Sequence, residues 1–122
     1  MSSKHLRKTK ERETKELLHK LREVFHYDHI TGELRYKVDR NGGAFKGDTA
    51  GHTDYSGYTR VWFCGKQYMV HRVAWALYHG EWPKYTIDHK NKIRSDNSID
   101  NLRDVPQAIN NRNKRPYKKV SK

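Results

Sequence analysis

Residues 85–113 read YTIDHKNKIRSDNSIDNLRDVPQAINNRN, and the order of apolar and polar positions in this stretch decides the fold. Tyr85-Thr86-Ile87 is β-prone and runs straight into Asp88-His89, while Lys90 to Asp100 is polar and turn-rich. Leu102 to Val105 is a second short β-prone run, and Pro106 suits the first turn of a helix reaching about Asn113. The expected order is therefore strand, polar loop, strand, helix. Asp88 and His89 close the first strand, and Asn101 opens the second, twelve residues beyond His89. Asn110 sits on the helix, with Asn111 and Asn113 close behind.

Upstream, the pattern supplies a scaffold for that unit. Residues 4–24 contain no glycine or proline, and Leu17, Leu21, Val24 and Phe25 recur at helical spacing, which predicts an amphipathic helix with a solvated first half. Its basic residues Lys4, Arg7, Lys8, Lys10, Arg12 and Lys15 alternate with Glu11, Glu13 and Glu16. Phosphate contact, internal i,i+4 pairing and dimerisation through this helix are all compatible with that pattern. Asp28 to Gly32 has turn composition, and Glu33 to Val38 alternates as a half-buried strand does. Residues 39–51 hold four of the eight glycines in a loop, with no Gly-Lys-Ser/Thr after it, so a P-loop is not expected. Tyr58–Phe63 and Gln67–Val70, separated by Gly65-Lys66, predict a β-hairpin. Val73, Ala74, Trp75, Ala76, Leu77 and Tyr78 predict a short buried helix stopped by Gly80 and Trp82-Pro83. The organisation read from this is a basic helix or arm over 1–24, one domain over 25–113 and a basic tail over 114–122.

Composition narrows the class. The chain has 122 residues, of which 34% are hydrophobic and 33% charged, enough for one modest core. A formal charge of +12 favours a polyanionic partner, and nucleic acid fits better than a membrane surface. No apolar run approaches the roughly 20 residues that a bilayer span needs. No apolar segment follows the basic N-terminus, so no secretory signal is read, and a cytoplasmic location is expected. Cys64 is the sole cysteine, which excludes an internal disulfide and any zinc site built from cysteine pairs; its apolar surroundings predict a small buried hydrophobe.

Chemistry enters through Asp88, His89, Asn101 and Asn110. If the first strand packs beside the last helix, Asp88 and Asn110 supply two hard oxygen ligands to one divalent cation, leaving positions for water and phosphate oxygens as magnesium prefers. His89 alternates to the other side of the strand, which places it to activate water rather than bind the same ion. An unperturbed imidazole titrates near 6.5, within reach of neutral pH. Asn101 can donate and accept at once, so it can pin the polar loop and thereby direct His89. The expected activity is hydrolysis of phosphodiester bonds in DNA.

Ile87-Asp88-His89, Asp96-Asn97, Asn101-Leu102-Arg103 and Asn110 with Asn113 resemble the HNH endonuclease signature, in the Asp and Asn ligand version common among phage and homing endonucleases. His71-Arg72-Val73-Ala74-Trp75 and Gly80-Glu81-Trp82-Pro83 resemble what precedes it in such proteins, so the similarity spans roughly 25–113. The resemblance implies an α+β fold built on a ββα-metal core, with a small antiparallel β region and an N-terminal helix before it. It also implies a Mg²⁺ or similar ion such as Mn²⁺ at Asp88 and Asn110, His89 as general base, Asn101 as the structural asparagine, and a phage or mobile-element origin in the host cytoplasm. Lys92 departs from the pattern, standing where a turn glycine is usual. Asn111 and Asn113 are alternatives to Asn110.

DNA is the expected partner, with a homodimer or a phage protein as further candidates. Arg72, Lys90, Lys92, Arg94, Arg103, Arg112, Lys114 and Arg115 are the expected DNA contacts. His71 is read as a strand-end residue, or else as a support or phosphate contact beside the cation, as is Asn113. The aromatics Tyr55, Tyr58, Trp62, Tyr68, Trp75 and Trp82 are expected in core and hairpin packing, with Tyr55 and Tyr58 the candidates for base stacking. The rival class is a DNA-binding module or a phage replication or packaging accessory that keeps the fold without cleavage.

Overall fold

A computed structural model of the chain describes residues 13–40 and 42–106. The first helix, α1, runs Lys15–Val24 and starts where Thr14, in an extended conformation, accepts a hydrogen bond from the Leu17 amide. The described helix begins at that cap, and the stretch 4–12 of the expected helix lies outside the described residues. Leu18, Leu21 and Val24 face the core, and Leu17, expected there, is only partly buried. At Phe25 the backbone becomes extended, and α1 passes directly into β1, Phe25–Tyr27.

β1 pairs antiparallel with β2, Leu34–Tyr36, matching Phe25 to Tyr36 and Tyr27 to Leu34. The Asp28–Gly32 turn between them closes as its composition predicts: the Gly32 amide donates to the Asp28 carbonyl at 2.7 Å, and Asp28 Oδ1 accepts from Ile30 N. These amides, led by Thr31 and Ile30, hold the Asp28 carboxyl below its ordinary pKa. A second sheet follows, with β4, Thr59–Phe63, between β3, His52–Thr53, and β5, Lys66–Met69.

Phe63 pairs with Lys66, so the hairpin turn is Cys64-Gly65 rather than Gly65-Lys66. Both turn residues have positive φ, 51° and 78°, as a tight two-residue connection demands. That geometry puts Cys64 at an exposed tip, correcting its expected burial. Trp62, 60% exposed, lies on the outer face of β4 and is likewise not core, because Val61 and Phe63 take the two inward positions of the strand.

The second helix, α2, spans Val70–His79 and ends at Gly80 in the left-handed conformation, φ 82°. His71 therefore lies in a helical first turn and not at a strand end; the β-strand stops at Met69 because Val70, Val73, Ala74 and Ala76 take up a helical apolar stripe. β6, Thr86–His89, and β7, Leu102–Val105, form the third antiparallel pair, with a single 3₁₀ turn, Ile99–Asn101, leading into β7. Leu21, Phe25, Leu34, Val61, Phe63, Val73, Ile87 and Leu102 meet in one apolar cluster that joins all three sheets to both helices. Ile87 and Leu102 anchor the β6–β7 pair in it, leaving the polar ends of these strands at the surface of the core. The helix expected through Asn113 lies outside the described residues beyond Pro106.

Candidate functional site

The site forms where β6 ends. Asp88 and His89 are both buried, and each has a different partner. Asp88 Oδ2 accepts from Arg103 Nε at 2.9 Å, its cross-strand neighbour, whereas His89 Nε2 lies 2.9 Å from Asn97 Oδ1. Alternation along the strand thus sends the two side chains apart, as the sequence predicts.

The polar loop from Lys90 to Asp100 is held almost wholly by amides. Asn101 Oδ1 accepts from the Asn91 amide at 2.9 Å, and its Nδ2 donates to the Asp96 carbonyl at 2.8 Å. Lys90 N donates to the Asn101 carbonyl at 2.8 Å, and Lys92 N to that of His89 at 2.9 Å. The Asp96 carboxylate accepts from Ser98 Oγ at 2.7 Å and from Asn91 Nδ2 at 2.8 Å, and the Ser98 bond in particular holds its pKa below the ordinary value. Lys92 takes up φ 68°, so the position where a glycine was expected has the backbone of one.

Asn97 is what sequence reasoning missed. It belongs to the Asp96-Asn97 pair of the motif, but in the sequence it is one polar loop residue among many. Folded, it is 3% exposed and its amide oxygen meets His89 Nε2. Its carbonyl accepts from the Tyr27 hydroxyl. Burial is the first cause raising the Tyr27 pKa, which keeps that hydroxyl protonated as a donor.

Aromatic rings wall the other side of His89. The His71 ring stands edge-on to it at 5.1 Å, and Tyr58 lies 6.3 Å from His89 and 5.8 Å from His71. His71 is 8% exposed, and burial, followed by the charges of His89, Arg72 and Arg60, lowers its pKa to about 3. His71 is thus a neutral wall of the site. Tyr58 carries Arg94 on its face, 4.8 Å from the ring centroid, and Arg94 also donates to the Ser56 carbonyl at 3.0 Å. This ties the 54–57 turn to the loop below. The turn itself is stiff, since Asp54 accepts from Ser56 and Arg60, and these bonds, Ser56 foremost, hold its carboxyl down to about 2. Tyr55 stands fully exposed at its tip.

The expected DNA contacts divide. Lys90 and Lys92 are exposed beside the site, and Arg103 is 43% exposed while pairing with Asp88. Arg72 faces elsewhere: its guanidinium takes the Glu13 carboxylate through Nη2 at 2.9 Å and the Tyr85 carbonyl at 2.8 Å, with a further bond from Nε to Glu13 at 2.5 Å. A partly buried cation needs such partners, and Arg72 finds them in an internal clamp between Glu13, just before α1, and Tyr85, just before β6. Asn110, Arg112, Asn113, Lys114 and Arg115 lie outside the described residues. Among the described residues no cluster of three or more His, Cys, Asp or Glu side chains could hold a metal, and no helix is long and apolar enough to cross a membrane.

Residues 68–112 match the profile of the HNH endonuclease family. The chain is similar in structure to the HNH homing endonuclease I-HmuI, from a study of its DNA binding and cleavage, with a TM-score of 0.54 and 28% identity. That similarity covers 75% of this chain and 51% of the other, so the chain spans about half the length of that relative. No curated protein sequence matches the chain. The α+β architecture and the HNH resemblance read from the sequence are thereby borne out.

Proposed function

We propose that this chain is a metal-dependent DNA endonuclease in which His89 is the general base, Asp88 and Asn110 hold one divalent cation, and Asn101 secures the loop between them. The observation that carries the reading is the end of β6, where a carboxylate and an imidazole at successive positions are both buried, each with its own partner. Asp88 offers a hard oxygen, Oδ1, that Arg103 does not engage, and the Asn110 amide oxygen is the second candidate donor; both suit Mg²⁺ or a similar ion. Bound there, the cation would neutralise charge on the phosphate and on the departing 3′ oxygen.

The chain's own residues do the rest. His89 accepts the proton of the attacking water, and the rings of His71 and Tyr58 limit the directions from which that water approaches. Lys90 and Lys92 meet the phosphates flanking the cut. The charge of +12 draws the duplex in and makes affinity fall steeply with salt.

Supercoiled plasmid incubated with the protein and Mg²⁺ tests this. The parent should nick or linearise it, and His89→Ala should bind DNA nearly as well while cutting about 10²–10⁴-fold more slowly. A parent that leaves DNA bound but uncut with both Mg²⁺ and Mn²⁺ would replace the enzyme by a DNA-binding module.

A further inference from the structure

We propose that the β1–β2 hairpin is part of the catalytic centre: through Tyr27 and the Asp28–Gly32 turn it fixes Asn97, and Asn97 holds His89 in the Nε2–H tautomer. The inference rests on His89 being the base. Asn97 turns its amide oxygen to His89 Nε2 at 2.9 Å, and an amide oxygen only accepts hydrogen bonds, so this orientation of the amide assigns the proton to Nε2. The lone pair is then on Nδ1, which is the atom left to take a proton from water.

What fixes Asn97 is not its own loop alone. Tyr27, from β1, donates its hydroxyl to the Asn97 carbonyl across a separation of 70 residues. Ile99 N donates to the His29 carbonyl at 3.0 Å, fastening the far side of the same segment to the turn. Between these two bonds Gly32 lies flat on the peptide joining Asn97 to Ser98: a Cβ there would come within 2.5 Å of Asn97 C and 2.4 Å of Ser98 N. At φ 85° and with no space above it, only glycine permits this approach. Tyr27, His29 and Gly32 all precede the segment 68–112 that matches the family, so the recognisable motif borrows the support of its base from a separate hairpin. Asn97 is a positioning residue, and Tyr27 and Gly32 position it.

The test uses the full chain with ¹⁵N-labelled histidine rings, at a pH where the imidazoles are neutral; the His89 signals are those missing from His89→Ala. The expected parent spectrum shows the Nε2–H form. Asn97→Ala should bring up the Nδ1–H form and lower kcat by about ten-fold or more at unchanged DNA affinity, in the range usual for a lost second partner of a site residue. Asn97→Asp, which keeps an acceptor, should retain the parental tautomer and cut faster than Asn97→Ala. Tyr27→Phe deletes one hydroxyl and should move tautomer and kcat the same way by a smaller amount, and it serves if Asn97→Ala does not fold. A parent in the Nδ1–H form, or variants at Asn97 and Tyr27 that change neither tautomer nor kcat, would overturn the proposal. If His89→Ala cuts as fast as the parent, the base assignment fails instead, while the spectra still decide whether Asn97 holds the ring.

Discussion

Arg103 Nε donates to Asp88 Oδ2 at 2.9 Å across the β6–β7 pair, with the carboxylate side chain 8% exposed and the guanidinium 43% exposed. The two partners are unequal: Asp88 is buried, and Arg103 is open to solvent. Under the proposed assignment of Asp88 as a cation ligand, an arriving ion would meet a positive charge already in place, and the ion pair would oppose its binding.

Arg103→Gln should therefore bind Mn²⁺ or Mg²⁺ several-fold more tightly than the parent in the absence of DNA, and bind DNA more weakly. Calorimetric titration of each ligand reads both changes. Metal affinity that is unchanged or lower in Arg103→Gln would mean that the pair does not compete with the ion.

Asn101→Asp keeps the oxygen that accepts from Asn91 and replaces the donor to the Asp96 carbonyl with a second oxygen. A partly buried carbonyl then faces a carboxylate, which costs about 1–3 kcal/mol. Urea unfolding should show that loss, and plasmid cleavage should fall with it as the loop loosens around Asn97. Parental stability in this variant would remove Asn101 from the loop's supports.

Lys92→Gly relieves a side chain at φ 68° but gives the unfolded chain more freedom. The left-handed conformation costs an L-residue about 1–2 kcal/mol and the glycine entropy about 0.5–1, so the variant should be more stable by up to about 1.5 kcal/mol. Its thermal midpoint should rise by a few degrees. If Lys92 also meets a phosphate, the salt dependence of DNA binding should flatten by about one contact.

His71 sets a pH dependence whose sign follows from its pKa, about 3 in the fold against 6.5 unfolded. Between these values the unfolded chain binds a proton that the native state refuses, so stability falls as pH falls below 6.5 and the loss continues toward 3. The slope this one group contributes approaches about 1.4 kcal/mol per pH unit. His71→Phe, which fills the same place without a proton site, should be less acid-sensitive by that slope over pH 6 to 4. Parallel curves for parent and variant would show that His71 is protonated while folded.

The sequence alone determined the elements that local pattern can encode. The alternation in Thr86–His89 and Leu102–Val105, the polar loop between them and the helical stripe of Val73–Tyr78 formed where expected, although the helix begins three residues earlier, at Val70, because each depends on neighbours a few positions away. The same is true of the division between Asp88 and His89, which alternation enforces on any strand, and of the loop bonds made by Asn101. Only the tertiary structure decided which polar residues are buried and against what. Asn97 became the partner of His89, Arg72 turned to Glu13, His71 became a wall, and Cys64 moved to an exposed turn. Tyr27 and Asn97 are 70 residues apart, and Glu13 and Arg72 are 59 apart. A buried polar group is tolerated only when a partner meets it, and which distant partner does so is fixed by the packing of the sheets and helices rather than by any periodicity in the chain.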